Sequence, residues 1–165
     1  MMKRILPLLL CLLLLAACAG QTTGTYSNAY FSVSLPEHIE PVKNTSFTCF
    51  APYGDPVLSS SITVSSTELN WYFDRFTAEE YGEALRSLCG YESLTVETMT
   101  VTSVDGYDAR RIACKVVLEQ GTHDLILYAV HADQTYFITL LNREGDSYIE
   151  AFDDMISTIH FTGAK

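Results

Sequence analysis

Two stretches of this chain, Leu125 to Val130 and Tyr136 to Leu141, are apolar at nearly every position rather than at every second one. Successive side chains of a strand point to opposite faces, so strands without alternation must be covered on both sides. Few folds meet that requirement. The two segments belong at the centre of a sheet with packing layers above and below. A turn at Ala132-Asp133-Gln134 joins them, short enough to make them an antiparallel pair.

The rest of the pattern supplies the edges and the layers. Tyr30 to Leu35 alternates, with Phe31, Val33 and Leu35 on one side, and Pro36 ends it. Phe47 to Phe50 reads as a short strand before a turn at Pro52-Tyr53-Gly54-Asp55-Pro56, and Leu58 to Ser66 alternates again, with Leu58, Ile62 and Val64 on one face. A helix is predicted after Thr77: Glu80 completes a capping box, Phe76 and Tyr81 are spaced as a hydrophobic staple, and Gly90 is the stop. Its apolar face is Tyr81, Leu85, Leu88 and Cys89. Leu94 to Val104 is a threonine-rich strand whose apolar parity shifts between Val96 and Met99, which predicts a bulge. Asp105-Gly106 then predicts a two-residue hairpin into a return strand over Asp108 to Leu118, with a further turn at Glu119-Gln120-Gly121-Thr122. A last helix is predicted from near Ser147, capped with Glu150, carrying Ile149, Phe152, Ile156 and Ile159 inward. The class is α+β: an antiparallel sheet of about six or seven strands packed by two main helices.

The N-terminus has a different character. Met1-Met2-Lys3-Arg4 precedes an apolar run from Ile5 to Ala17. A basic start and a short apolar stretch form an export signal. The run is shorter than the roughly 20 residues needed to span a bilayer. It ends in Leu15-Ala16-Ala17-Cys18, which resembles the lipobox of bacterial lipoproteins. The resemblance implies a diacylglycerol on the Cys18 thiol and cleavage just before it. Two acyl chains suffice for stable anchoring. An ordinary signal cut elsewhere, a signal anchor and a buried helix are the competing readings. Cys11 lies in the same run with nothing small before it. The expected organisation is a signal peptide over 1–17, a lipidated cysteine and flexible tether over 18–28, and one domain over 29–162.

Without residues 1–17, which contain Lys3 and Arg4 and no acids, 8 basic and 20 acidic residues remain, a formal charge near −12. Nucleic-acid binding needs a basic footprint, and this chain has none to offer. Anionic lipid would repel the domain, so its expected hold on the membrane is the anchor. Cys49, Cys89 and Cys114 are an odd set, allowing at most one internal disulfide. All three are expected to be buried, inert thiols. No Cys/His spacing suits zinc, and neither a metal nor a cofactor is expected.

The order of elements and several landmarks resemble the PsbP-like fold. The landmarks are Tyr30-Phe31-Ser32-Val33-Ser34-Leu35-Pro36, the Val104-Asp105-Gly106-Tyr107-Asp108-Ala109 hairpin, the Tyr136-Phe137-Ile138-Thr139 strand and the close at Ile159-His160-Phe161. Glu37-His38-Ile39 stands where such proteins often carry a tryptophan. The resemblance covers about residues 26 to 161. It implies an α/β/α sandwich and a binding or assembly role, with no catalytic residues to carry over.

Candidate chemistry is sparse. The histidines are His38, His123, His131 and His160, and no two have metal-ligand spacing. No serine sits in a G-x-S-x-G elbow. Glu79, Glu83 and Arg86 read as a solvated helix face, and Asp153-Asp154 as the outer face of the last helix. The segment around Trp71, Tyr72 and Phe73 joins a strand to a helix and holds the only tryptophan. Its aromatics either cover an edge of the core or form a partner-binding patch. The functional expectation is therefore a membrane-tethered, extracytoplasmic lipoprotein on the cell surface or in the periplasm. It would serve as a non-catalytic protein-binding or assembly accessory of the cell envelope. A small-ligand carrier or sensor using a cleft between sheet and helix is the alternative, with an enzyme behind both.

Overall fold

Leu125 to Val130 and Tyr136 to Leu141 do lie side by side in the middle of a sheet. The computed structural model describes residues 22–43, 47–55, 60–68, 76–143 and 145–162. The strands are β1 (Thr22–Ser27), β2 (Phe31–Pro36), β3 (Ile39–Pro41), β4 (Thr48–Pro52) and β5 (Ser61–Thr67). After helix α1 (Ala78–Cys89) come β6 (Ser93–Val104), β7 (Tyr107–Leu118), β8 (Gly121–His131) and β9 (Thr135–Asn142). Helix α2 (Ile149–Ser157) and β10 (His160–Phe161) close the chain. Seven strands form one antiparallel sheet in the order β3-β4-β5-β9-β8-β7-β6, and β1-β2-β10 form a second, smaller one.

The large sheet is covered on both faces, and each face has its own core. On one face Ile126, Tyr128, Val130, Tyr136, Ile138 and Leu140 pack with Phe152, Met155 and Ile156 of α2 and with Phe31, Val33 and Leu35 of the small sheet. On the other, Ile112, Cys114, Val116, Leu125, Leu127 and Ala129 pack beneath Tyr81 and Leu85 of α1. Alternate residues of β8 thus serve different cores, which is why neither parity could be polar.

The local signals explain the element ends. Thr77 accepts from the Glu80 N–H while the Glu80 carboxylate accepts from the Thr77 N–H, so the capping box is formed. The Phe76 and Tyr81 rings meet edge to face at 5.5 Å, and Gly90 ends α1 at φ 69. In β6 the register shifts between Val96 and Thr98, the bulge expected there. Asp105 and Gly106 turn with φ 52 and 81, the two positive values a tight hairpin of this hand requires.

Four expectations are corrected. Asp153 is not on the outer face of α2 but turns to the sheet, where it pairs with Arg111 and accepts from the Tyr128 hydroxyl. The tether expected over 18–28 is not free of structure: from Thr22 it pairs with β2 as β1. Tyr26 explains the ordering, since its ring stands edge-on to Phe50 at 5.0 Å. Ser147 does not cap α2. The first residue before the helix is Tyr148, without a side-chain cap, and its N–H donates to Asn142 Oδ1 from the end of β9. An acceptor at the end of the preceding strand replaces the adjacent serine. Cys89 is exposed, not buried: it is the last residue of α1, and the chain turns at Gly90.

Candidate functional site

The site residues expected from sequence, Cys18 and the aromatics Trp71, Tyr72 and Phe73, lie outside the described residues. What the described residues do assemble is a corner where the small sheet meets the edge of the large one.

An open cleft of about 420 Å³ runs between β1–β2 and β3, walled by Tyr26, Leu35, Ile39, Glu40 and Pro41. Leu35 and Ile39 are buried parts of the core, so the floor is rigid and apolar. Glu40 contributes a single carboxylate. Beside it, His38 precedes β3 at φ 65 and Tyr53 follows β4 at φ 53. Side chains with a Cβ rarely adopt this left-handed backbone, and each such position is strained. The Tyr53 N–H donates to the His38 carbonyl at 2.7 Å, holding both in place. Their rings meet at a tilt of 33° with centroids 5.1 Å apart, and Tyr53 stays 69% exposed. Tyr148 lies nearby: burial raises its phenol, and the neighbouring Asp146 and Tyr53 add to the rise. This corner offers aromatic surface and one apolar-floored cleft with a single carboxylate on its wall. Its chemistry suits contact with another molecule.

The polar clusters elsewhere act as braces. The Ser60 hydroxyl donates to Asp146 Oδ2 at 2.6 Å and accepts the Arg143 N–H at 2.8 Å. At 1% exposure it ties the loop after β9 to the start of β5. Asp105 accepts the Phe161 N–H through Oδ2 and faces His160 Nδ1 through Oδ1 at 3.0 Å, pinning β10 to the β6–β7 turn. Burial alone would raise the Asp105 carboxyl, but His160 and the Phe161 N–H outweigh it and hold the group low. His123 is buried opposite Val116, while Asp124 on the other face meets Lys115. Adjacent strand residues diverge as their spacing requires. Cys49, Cys89 and Cys114 are all free thiols. Burial pushes Cys114 up to about 11, with Glu97 adding to the effect, which removes it from thiolate chemistry. Among the described residues, no group of three or more His, Cys, Asp or Glu is placed to hold a metal ion. No described helix is long and apolar enough to cross a membrane.

The His38–Tyr53 contact was missed by sequence reasoning. Pro52-Tyr53-Gly54-Asp55-Pro56 marks a turn, but nothing local says that His38, fifteen positions earlier, will face it.

The architecture defines the protein as an α+β chain with a PsbP-like fold. It is similar to cyanobacterial PsbP (CyanoP) from Synechocystis sp. PCC 6803, with a TM-score of 0.62 at 15% identity over 88% of this chain and 96% of that one. It is also similar to a protein of known structure from Bacteroides thetaiotaomicron, with a TM-score of 0.57 at 12% identity over 86% of this chain and 49% of that one. No protein-family model matches the chain, and no curated protein sequence does.

Proposed function

We propose that this protein is an extracytoplasmic lipoprotein, held to its membrane through Cys18, that binds another protein of the cell envelope as a non-catalytic accessory. The observation that carries the location is the lipobox-like Leu15-Ala16-Ala17-Cys18 at the end of a short apolar run. The binding role is supported by the exposed, backbone-strained His38–Tyr53 corner beside its cleft. Strain of this kind persists only where the surroundings enforce it, and it concentrates at functional surfaces. Trp71, Tyr72 and Phe73 are the second proposed contact patch.

Two measurements test the reading. Cys18→Ala should stop incorporation of labelled palmitate and release the protein from the membrane fraction; a variant still processed and membrane-bound refutes the anchor. Mild cross-linking of the full protein in its native membranes, followed by mass spectrometry, should retain one stoichiometric partner. Loss of that partner in Tyr53→Ser or in the Trp71/Tyr72→Ser pair, with folding intact, would identify the contact surface. The cleft favours a second reading, a small-ligand carrier. A co-purifying metabolite lost on Glu40→Ala would support it.

A further inference from the structure

The large sheet ends on β6, a strand of twelve residues whose outer edge meets no other strand among the described residues. An open edge presents a row of backbone donors and acceptors, and proteins guard such edges with bulges, charges, proline or a covering helix. The two halves of β6 differ in this respect. The first half is guarded: the bulge falls between Val96 and Thr98, Glu97 sits on it, and α1 packs closely enough that a Cβ on Gly82 would lie 3.1 Å from Val96. The second half, Thr98 to Ser103, has no charge, no proline and no bulge. Val101 stands 76% exposed there, on the sheet face that carries α1 but opposite Arg110, beyond the α1 core. Six residues extend about 20 Å, the length of an ordinary strand.

Two features decide what fits this edge. Pairing over six residues alone covers far less than the roughly 1,200 Å² of a stable dimer interface, and the chain carries a net charge of −10. Both disfavour a second copy and favour a slender cationic partner. The flanks agree, since exposed carboxylates bracket the neutral stretch, Glu97 before it and Asp108 after it. Of the nearby cations, Lys115 and Arg111 are paired with Asp124 and Asp153, while Arg110, opposite Val101, donates to the Ala109 carbonyl and faces the middle of the stretch rather than its ends.

We propose that Thr98–Ser103 is a strand-docking edge that takes an extended segment of a partner protein, bearing lysine or arginine at its ends, as an eighth strand of the sheet. Main-chain hydrogen bonds supply affinity in this mode, and alternate side chains supply choice. Val101 and Met99 would receive the segment's apolar side chains, and the flanking carboxylates its basic ends. The inference rests on the protein-binding reading above and assigns it a surface separate from the His38–Tyr53 corner.

The test uses the full chain labelled with ¹⁵N and a short peptide of alternating threonine and valine with a lysine at each end. Amide shifts and slowed hydrogen exchange confined to Thr98–Ser103 are expected. Binding should fall about tenfold for the same peptide ended by glutamates, and by a similar factor in Val101→Lys. Added salt should weaken it. Absence of shifts at millimolar peptide, shifts centred on the cleft, or equal binding of the glutamate peptide would overturn the proposal. So would a dimer in sedimentation velocity that Val101→Lys abolishes, which would assign the edge to self-pairing. A native envelope partner retained undiminished by Val101→Lys would leave the accessory reading standing and remove this edge from it. Edge binding of the peptide with no envelope partner recovered would do the reverse.

Discussion

Arg111 on β7 and Asp153 on α2 form a two-pronged ion pair, Nε to Oδ1 at 3.1 Å and Nη2 to Oδ2 at 2.9 Å. Tyr128 completes the joint, donating its hydroxyl to Asp153 Oδ1 at 3.0 Å while its ring lies under the guanidinium at 5.9 Å. The pair anchors the closing helix to the centre of the large sheet. Asp153→Ala would leave a half-buried guanidinium and the Tyr128 hydroxyl without their acceptor. A loss of about 1–3 kcal/mol in chemical denaturation is expected. Arg111→Met and Asp153→Leu combined with Tyr128→Phe should recover most of it, since all three polar partners are then replaced by apolar groups.

Burial, with help from Asp153, pushes the Tyr128 phenol up to about 12. A group whose folded pKa is raised contributes stability that is complete below its unfolded pKa, near 10, and is lost as pH climbs through the folded value. Stability should therefore decline between about pH 10 and 12. Alkaline titration at 295 nm should lose its latest step in Tyr128→Phe, and denaturation curves of that variant should fall less steeply with pH over the same window.

Asp105 has the opposite sign. Its carboxyl is held below the ordinary value despite some burial, so its contribution is present above the unfolded pKa, near 3.9, and is lost as pH falls through the lower folded value. Asp105→Asn tolerates the positive φ but removes the charge. Its stability should depend less on pH in the acid range than that of the parent, and β10 amides should exchange faster.

Gly82 marks how closely α1 approaches β6. A Cβ there would meet a Val96 methyl at 3.1 Å and Leu94 at 3.7 Å. Gly82→Ala gains about 1 kcal/mol of helix propensity against a small displacement of Val96, and its melting temperature should change little. Gly82→Leu has no room and should lose about 1–3 kcal/mol.

Of the three described thiols, Cys89 alone is exposed. Iodoacetamide followed by peptide mapping should label Cys89 in the native protein and reach Cys49 and Cys114 only with denaturant. Native labelling of Cys114 at a similar rate would contradict the packing described for the α1 side.

Much of the fold was legible because it is written in short-range chemistry. The Thr77/Glu80 box, the Asp105-Gly106 turn and the parity shift after Val96 each act within a few residues. The unalternating β8 and β9 announce a sheet covered twice, whatever covers it. Where the reading of α2 failed, the acceptor sits at the end of the preceding strand: Asn142 takes the Tyr148 N–H, and no nearby serine does.

The candidate site was far less legible, for the same reason reversed. His38 and Tyr53 become a touching, strained pair only because β3 and β4 align antiparallel and bring their outer ends together. The open half of β6 is an edge only because the order of seven strands leaves it last. By itself the sequence determined the longer elements, the ends of α1 and of the β6–β7 hairpin, the central pair and the acidic charge, all properties of neighbouring residues. Tertiary structure alone decided that residues after Gln21 would join a second sheet, which strand would lie at the margin, and which aromatics would meet at the corner. Those outcomes depend on contacts between segments far apart in the chain, where no local pattern has reach.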